Sequence, residues 1–313
     1  MEYLSPWQLL VLAARSLKYA TRTLPAIRIV REEPSAEPLV SVIIATYNWS
    51  SVLRLAIHSV LWQTEQDFEI LVVGDGCTDD SEAVAQSFGD ARVRWHNLPR
   101  NYGHQTAPNN AGLRLARGRY IAYLGHDDIW HPEHLRTLVV AIDRSKADFA
   151  SSLVEMIGPP GSNYRDVAGI HPKDGYDGRQ ALPVSGLVHR REVVSRIGEW
   201  KDYREVWRNP DVDFVYRGVE AGLKFVSTEE MTVFKFNSAM RKNCYQEKPF
   251  QEQLDCVRRI ENRRTVMFEE MVDIAGVHLR RLPVKNELVV PPPPDPHTPG
   301  WRLPFYRKFR GLD

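Results

Sequence analysis

The chain reads as an open α/β domain, a mostly parallel sheet flanked by helices, and three stretches carry that reading. Pro38 to Asn48 (PLVSVIIATYN), Phe68 to Asp80 (FEILVVGDGCTDD) and Tyr120 to Asp128 (YIAYLGHDD) each open as an apolar run of strand length and end abruptly in polar or glycine residues. Strands covered on both faces require apolar runs of this continuous kind, without strict alternation. With 313 residues, 43% of them hydrophobic, the chain can bury a sizeable core.

The first strand ends at Thr46-Tyr47-Asn48, and Leu53, Ala56, Ile57, Val60 and Leu61 then recur at helical spacing. The second breaks at Gly74-Asp75-Gly76 and passes into a helix near Ser81. The third delivers Asp127 and Asp128 to a strand end, and ligands of open α/β sheets bind beyond the carboxyl ends of strands. Two adjacent carboxylates there suit a hard divalent cation that shares its remaining positions with phosphate oxygens and water. The competing reading is that the pair caps a helix opening at Pro132. Further on, Pro183 to Leu187 (PVSGL) reads as the start of a strand. Asn209-Pro210 opens a helix carrying Asp211, Asp213 and Arg217, and a long helix spans Pro249 to Leu279 with Phe250, Leu254, Val257 and Met271 on its faces.

This ordered set resembles the family 2 glycosyltransferases, which have the GT-A fold. The likeness rests on VSVIIATYN at 40–48, SVLWQT at 59–64, FEILVVGDGCTDD at 68–80 and NYG at 101–103. It continues through NNAGLRLARGRYIAYLGHDD at 109–128 and PDVDFVYR at 210–217, and spans roughly residues 38–236. The resemblance implies a donor loop of Thr46, Tyr47 and Asn48 in which Tyr47 stacks on the nucleotide base. Asp75 would bond the base ring, and Asp127 and Asp128 would hold the ribose, the diphosphate and a Mn²⁺ or Mg²⁺ cofactor. Ser185 and Gly186 would line the donor sugar, and Asp211 would take the proton of the acceptor hydroxyl, with Asp213 its near competitor. The activity implied is an inverting transfer from a nucleotide diphosphate sugar, UDP-linked, to a surface glycan or lipid-linked precursor. Three positions depart from the pattern: Gly74 where many members have an acid, Gly125 where many have an aspartate, and Asn109 in a place where many carry an arginine.

Two other functions are weighed against this. A sugar-phosphate nucleotidyltransferase would share the sheet but should show a glycine-rich loop with Arg and Lys near the first strand, and ATYNWSS offers none. A non-catalytic glycan-binding or scaffold member of the same fold is suggested by the three departures. Gly74-Asp75-Gly76 lacks the third glycine of a dinucleotide site. His126, His131 and His134 have no cysteine or second ligand pair at zinc spacing. A net charge of +1 argues against nucleic acid as a partner.

The expected organisation is a basic amphipathic extension (1–37), the catalytic domain (38–236), a helical segment (237–282) and a Pro-rich linker with a basic-aromatic tail (283–313). In the extension Trp7, Leu10, Val11, Ala14 and Leu17 form the apolar stripe, flanked by Arg15, Lys18, Arg22, Arg28 and Arg31. In the tail Trp301, Phe305, Tyr306, Arg307, Lys308, Phe309 and Arg310 follow the Pro291–Pro294 run. Either end suits an anionic membrane surface, or docking on the protein itself or on a second copy in a homo-oligomer. Three unpatterned cysteines and the lack of a long apolar run point to a cytoplasmic chain, peripheral on the inner face of a membrane where it meets one.

Overall fold

The computed structural model describes residues 5–19, 27, 29–31, 35–172, 175–178, 180–263, 265–280 and 298–312. The Pro291–Pro294 run, Arg22 and Arg28 lie outside them. Helix α1 (Pro6–Ser16) opens with a reciprocal capping box between Ser5 and Gln8 and a proline in its first turn. Strand β1 (Val40–Thr46) and helix α2 (Ser50–Leu61) follow, then β2 (Phe68–Gly74), α3 (Ser81–Gln86), β3 (Val93–Asn97), α4 (Thr106–Leu115) and β4 (Tyr120–Gly125).

β2 and β4 flank β1 in parallel, with Val40 opposite both Phe68 and Tyr120. That shared register sets Thr46 opposite Gly74 and Ala45 opposite Gly125, so the loops after three strands converge above one sheet edge. Every residue of β2 is buried, as its unbroken apolar run requires.

The pair Ile129–Trp130, read from sequence as the approach to a helix at Pro132, is instead strand β5, antiparallel to a strand from far along the chain. Helix α5 (His134–Ser145) starts later than expected. The remaining elements are β6 (Phe149–Ile157), β7 (Arg165–Ala168), β8 (Leu187–Arg190), α6 (Val193–Ile197), α7 (Pro210–Glu220), β9 (Phe225–Phe236), α8 (Cys244–Glu247), α9 (Gln251–Asn262), α10 (Val266–Arg280) and α11 (Arg302–Arg310). The strand order is β3-β2-β1-β4-β8-β6-β9-β5, with β7 beside β6. β8 enters antiparallel between β4 and β6, whereas β6 and β9 run parallel. The long helix expected near 249–279 is two, because α9 stops at Arg263, whose extended backbone ends the helical run.

The first and last described helices, α1 and α11, both lie on this body. α1 buries Leu9 and Ala13 in a core shared with Ile274 and Ala275 of α10 and with Met231 of β9. The stripe read from sequence is therefore the outer one: Trp7 is 73% exposed, and Leu10, Val11 and Leu17 are exposed as well. Arg15 pairs with Glu229 at 3.1 Å, and Lys18 pairs with Glu230.

Candidate active site

The converging loops of β1, β2 and β4 form one wall of a cleft of about 480 Å³, a size that suits a small-molecule ligand. Thr46, Tyr47, Asp75, Gly103, His104, His126 and Asp127 line that wall. Asp75 is nearly buried and accepts from the backbone N–H groups of Tyr102 (2.9 Å) and Gly103 (3.0 Å), which fixes the 101–103 loop over the cleft. Burial pushes its carboxyl above the ordinary range, against those two donors and the nearby Arg307.

Thr46 bonds His126 Nδ1 at 2.8 Å, and His126 Nε2 meets the Tyr245 hydroxyl at 3.2 Å. Burial lowers the pKa of His126 and takes that of His104 down to about 4, so both rings are neutral at neutral pH.

The acid pair divides. Asp127 faces the cleft, whereas Asp128 is fully buried beneath it. Asp128 accepts from Ser185 Oγ (2.5 Å), Lys235 Nζ (2.9 Å) and the Phe236 N–H (3.2 Å). Three donors on one carboxylate leave it a poor metal ligand, and it holds the Ser185 turn against β9. Burial opposes the Lys235 charge, but Asp128 and Asp127 outweigh it and raise the pKa, so the ammonium is fixed.

Gly125 sits where an added Cβ would come within 2.8 Å of Asp128 Oδ2, and at Gly74 one would meet Asn97 Oδ1 at 2.5 Å. Both departures from the family pattern are thus matched to crowding at their sites. Asn109 is buried away from the cleft lining, and its Nδ2 has no hydrogen-bond partner among the described residues.

The opposite wall comes from far along the chain. Ser185, Asn209, Asp211, Val212, Lys235 and Tyr245 line it, together with Leu303, Tyr306, Arg307 and Arg310 of α11. Asp211 sits in the first turn of α7, where its Oδ1 accepts from the Val212 N–H at 2.9 Å, and burial raises its pKa. Asp213 instead pairs with Arg217 at 2.8 Å, one turn along the same helix, and is absent from the cleft lining. Geometry therefore separates the two candidates that sequence left adjacent.

Two other expected donor residues lie outside the lining. Asn48, with a positive φ of 42°, accepts from the Thr78 N–H at 2.8 Å and ties the β1 loop to the β2 loop. Gly186 is packing, since a Cβ there would approach Val154 Cγ2 to 2.7 Å.

Sequence reasoning missed Lys235, Tyr245 and the inward role of Arg307 and Arg310. Lys235 had a signal: a lone cation in the otherwise apolar run Val233-Phe234-Lys235-Phe236. Among the described residues no group of three or more His, Cys, Asp or Glu is placed to hold a metal. The donor set fits a cation only in the sparse mode, with Asp127 as the open member of the acid pair and the rest supplied by substrate phosphate and water.

Residues 41–190 match the model of glycosyl transferase family 2. An uncharacterised glycosyltransferase of Nostoc sp. is 31% identical over 169 residues, covering 50% of this chain and 52% of that protein. The UDP-Glc:alpha-D-GlcNAc-diphosphoundecaprenol beta-1,3-glucosyltransferase WfaP of Escherichia coli is 33% identical over 115 residues, covering 36% and 45%. The chain thus spans about half the length, or less, of these relatives. Among solved structures, S. aureus TarS 1–349 in complex with UDP-GlcNAc superposes with a TM-score of 0.54 at 17% identity, over 77% of this chain and 72% of that one, a likeness of fold.

Proposed function

The chain belongs to glycosyl transferase family 2, and from that premise we propose that it transfers a sugar, with inversion, from a UDP-sugar to a hydroxyl of a glycan or lipid-linked acceptor. The observation that carries this reading is one cleft lined by an aromatic ring and a carboxylate suited to a nucleotide base, Tyr47 and Asp75, and also by an acid at the start of α7, Asp211, whose pKa burial raises.

Tyr47 offers a ring face to uracil, and Asp75 keeps lone pairs beyond those used by Tyr102 and Gly103 to accept the ring N–H. A divalent cation, when bound, would neutralise charge developing on the departing diphosphate, and Asp127 is the residue that would hold it. Asp211 accepts the acceptor proton as the acceptor oxygen bonds to the anomeric carbon, and the bond to the diphosphate breaks with its electron pair leaving on UDP. The neutral His104 and His126 rings add no competing charge. Ser185 holds Asp128 and the Gly125 backbone, which keeps Asp127 aimed at the cleft.

The outer stripe of α1, with Trp7, Leu10, Val11 and Leu17 exposed, is the face we assign to a membrane carrying such an acceptor. No described helix is long and apolar enough to cross one.

Calorimetric titration with UDP, with and without Mn²⁺, followed by UDP release across a panel of UDP-sugars, tests the reading. Saturable UDP binding and sugar-dependent release are expected, whereas a chain that binds no UDP in either condition contradicts it.

A further inference from the structure

α11 forms part of one wall of the cleft, and its inward stripe is of an unusual kind. Leu303, Tyr306, Arg307 and Arg310 fall at the i, i+3, i+4, i+7 spacing of one helix face, and all four line the cleft. Arg302 and Lys308 are exposed on the other side. A helix docked for packing alone turns its apolar side in and its cations out. Here two half-buried guanidinium groups occupy the inward side of a short helix that has other cations facing solvent.

The helix is held at both ends. The Gly300 N–H donates to the Val206 carbonyl at 3.1 Å on one flank, and the Phe309 carbonyl accepts from the Asn243 N–H at 2.8 Å on the other. Arg307 Nη1 donates to the Gly103 carbonyl at 3.0 Å, joining α11 to the loop that Asp75 fixes. The Arg310 guanidinium lies 5.7 Å from the Tyr245 ring centre. Arg310 and Asp127 both act electrostatically on His126 and Tyr245, so they share one end of the cleft.

We propose that α11 is a working part of the donor site, its Arg307 and Arg310 joining Lys235 to bind the diphosphate of the nucleotide. Three protein cations then do much of the neutralisation that a fuller carboxylate–metal centre would otherwise supply, which matches a cleft whose second aspartate, Asp128, is already bonded to Lys235. Arginine suits this role because its planar fork meets phosphate oxygens two at a time. The inference rests on the nucleotide-donor reading above, and its test separates the two.

The test compares UDP with uridine, which lacks the phosphates, by calorimetry on the full chain in EDTA and again in Mn²⁺. Wild type is expected to bind UDP at least about tenfold more tightly than uridine even in EDTA. Arg307→Ala and Arg310→Ala should each weaken UDP by about tenfold while leaving uridine unchanged, and Arg310→Lys should recover part of the loss. The uridine affinity also reports that the variants remain folded. UDP affinities of both alanine variants within about twofold of wild type would overturn the inference while the donor reading stands. Tighter UDP binding by either variant would overturn it too, by making α11 an occluding segment. A wild-type chain that binds neither UDP nor uridine in either condition would sink the donor reading itself.

Discussion

The two walls of the cleft are built in different ways. The amino-terminal wall comes from one continuous stretch, Ala45 to Asp127, and its geometry follows from the register of three parallel strands that end side by side. The other wall is assembled from β9, the Ser185 turn, the start of α7, the Tyr245 segment and α11, which are far apart in sequence. The first wall carries groups suited to recognising a base, and the second carries the candidate base catalyst and the fixed cations. Substitutions on the first should thus act through affinity and those around Asp211 through rate.

The largest effect is expected at Asp211. Asp211→Asn should lower transfer by about 10²- to 10⁴-fold while UDP affinity is kept, as removal of a general base does. Asp213→Asn, which touches only the Arg217 pair, should transfer at near the wild-type rate. The reverse pattern in single-turnover assays would exchange their roles. Because burial raises the Asp211 pKa above its ordinary 3.8, the base is protonated, and idle, up to a higher pH than an exposed aspartate would be. The acidic limb of the rate–pH profile should accordingly lie above that value, with activity rising as pH increases through it.

Next comes Leu9→Ala on α1, an element that belongs to neither wall. Leu9 is fully buried, so the substitution should cost about 2–5 kcal/mol in denaturant melts. UDP affinity of the folded fraction should not move, and a parallel fall in affinity would tie α1 to the cleft. Tyr47→Ala on the first wall should weaken UDP by about 1–3 kcal/mol, the scale of base–aromatic stacking, with the turnover of saturated enzyme nearly unchanged. Smallest is Arg15→Ala at the α1 rim: its pair with Glu229 is half exposed, and the loss should stay below about 1 kcal/mol.

Sequence showed the first wall well because a parallel α/β unit writes itself locally. An apolar run, a polar break and a helical repeat fixed Thr46, Tyr47, Asp75 and Asp127 at strand ends, and all four line the cleft. The division of labour between Asp127 and Asp128 was not legible, because it depends on Lys235 and Ser185, each more than fifty residues away. The same holds for α11: its basic-aromatic composition suited a membrane as well as a protein surface, and only the partner surface decides which face turns in. α1 makes the point from the other side, since the buried residues are Leu9 and Ala13 while the longer apolar stripe stays outside. β5 was misread because two residues carry no periodicity, and pairing with β9 supplies its structure.

The claim that both walls form one donor site is tested most directly by hydrogen exchange on the full chain with UDP and Mn²⁺. The account predicts that exchange slows together at 101–104 in the first wall, at 209–212 beside Asp211, and along 303–310 of α11. Protection confined to the first wall, with 209–212 and 303–310 unchanged at saturating UDP, would contradict it.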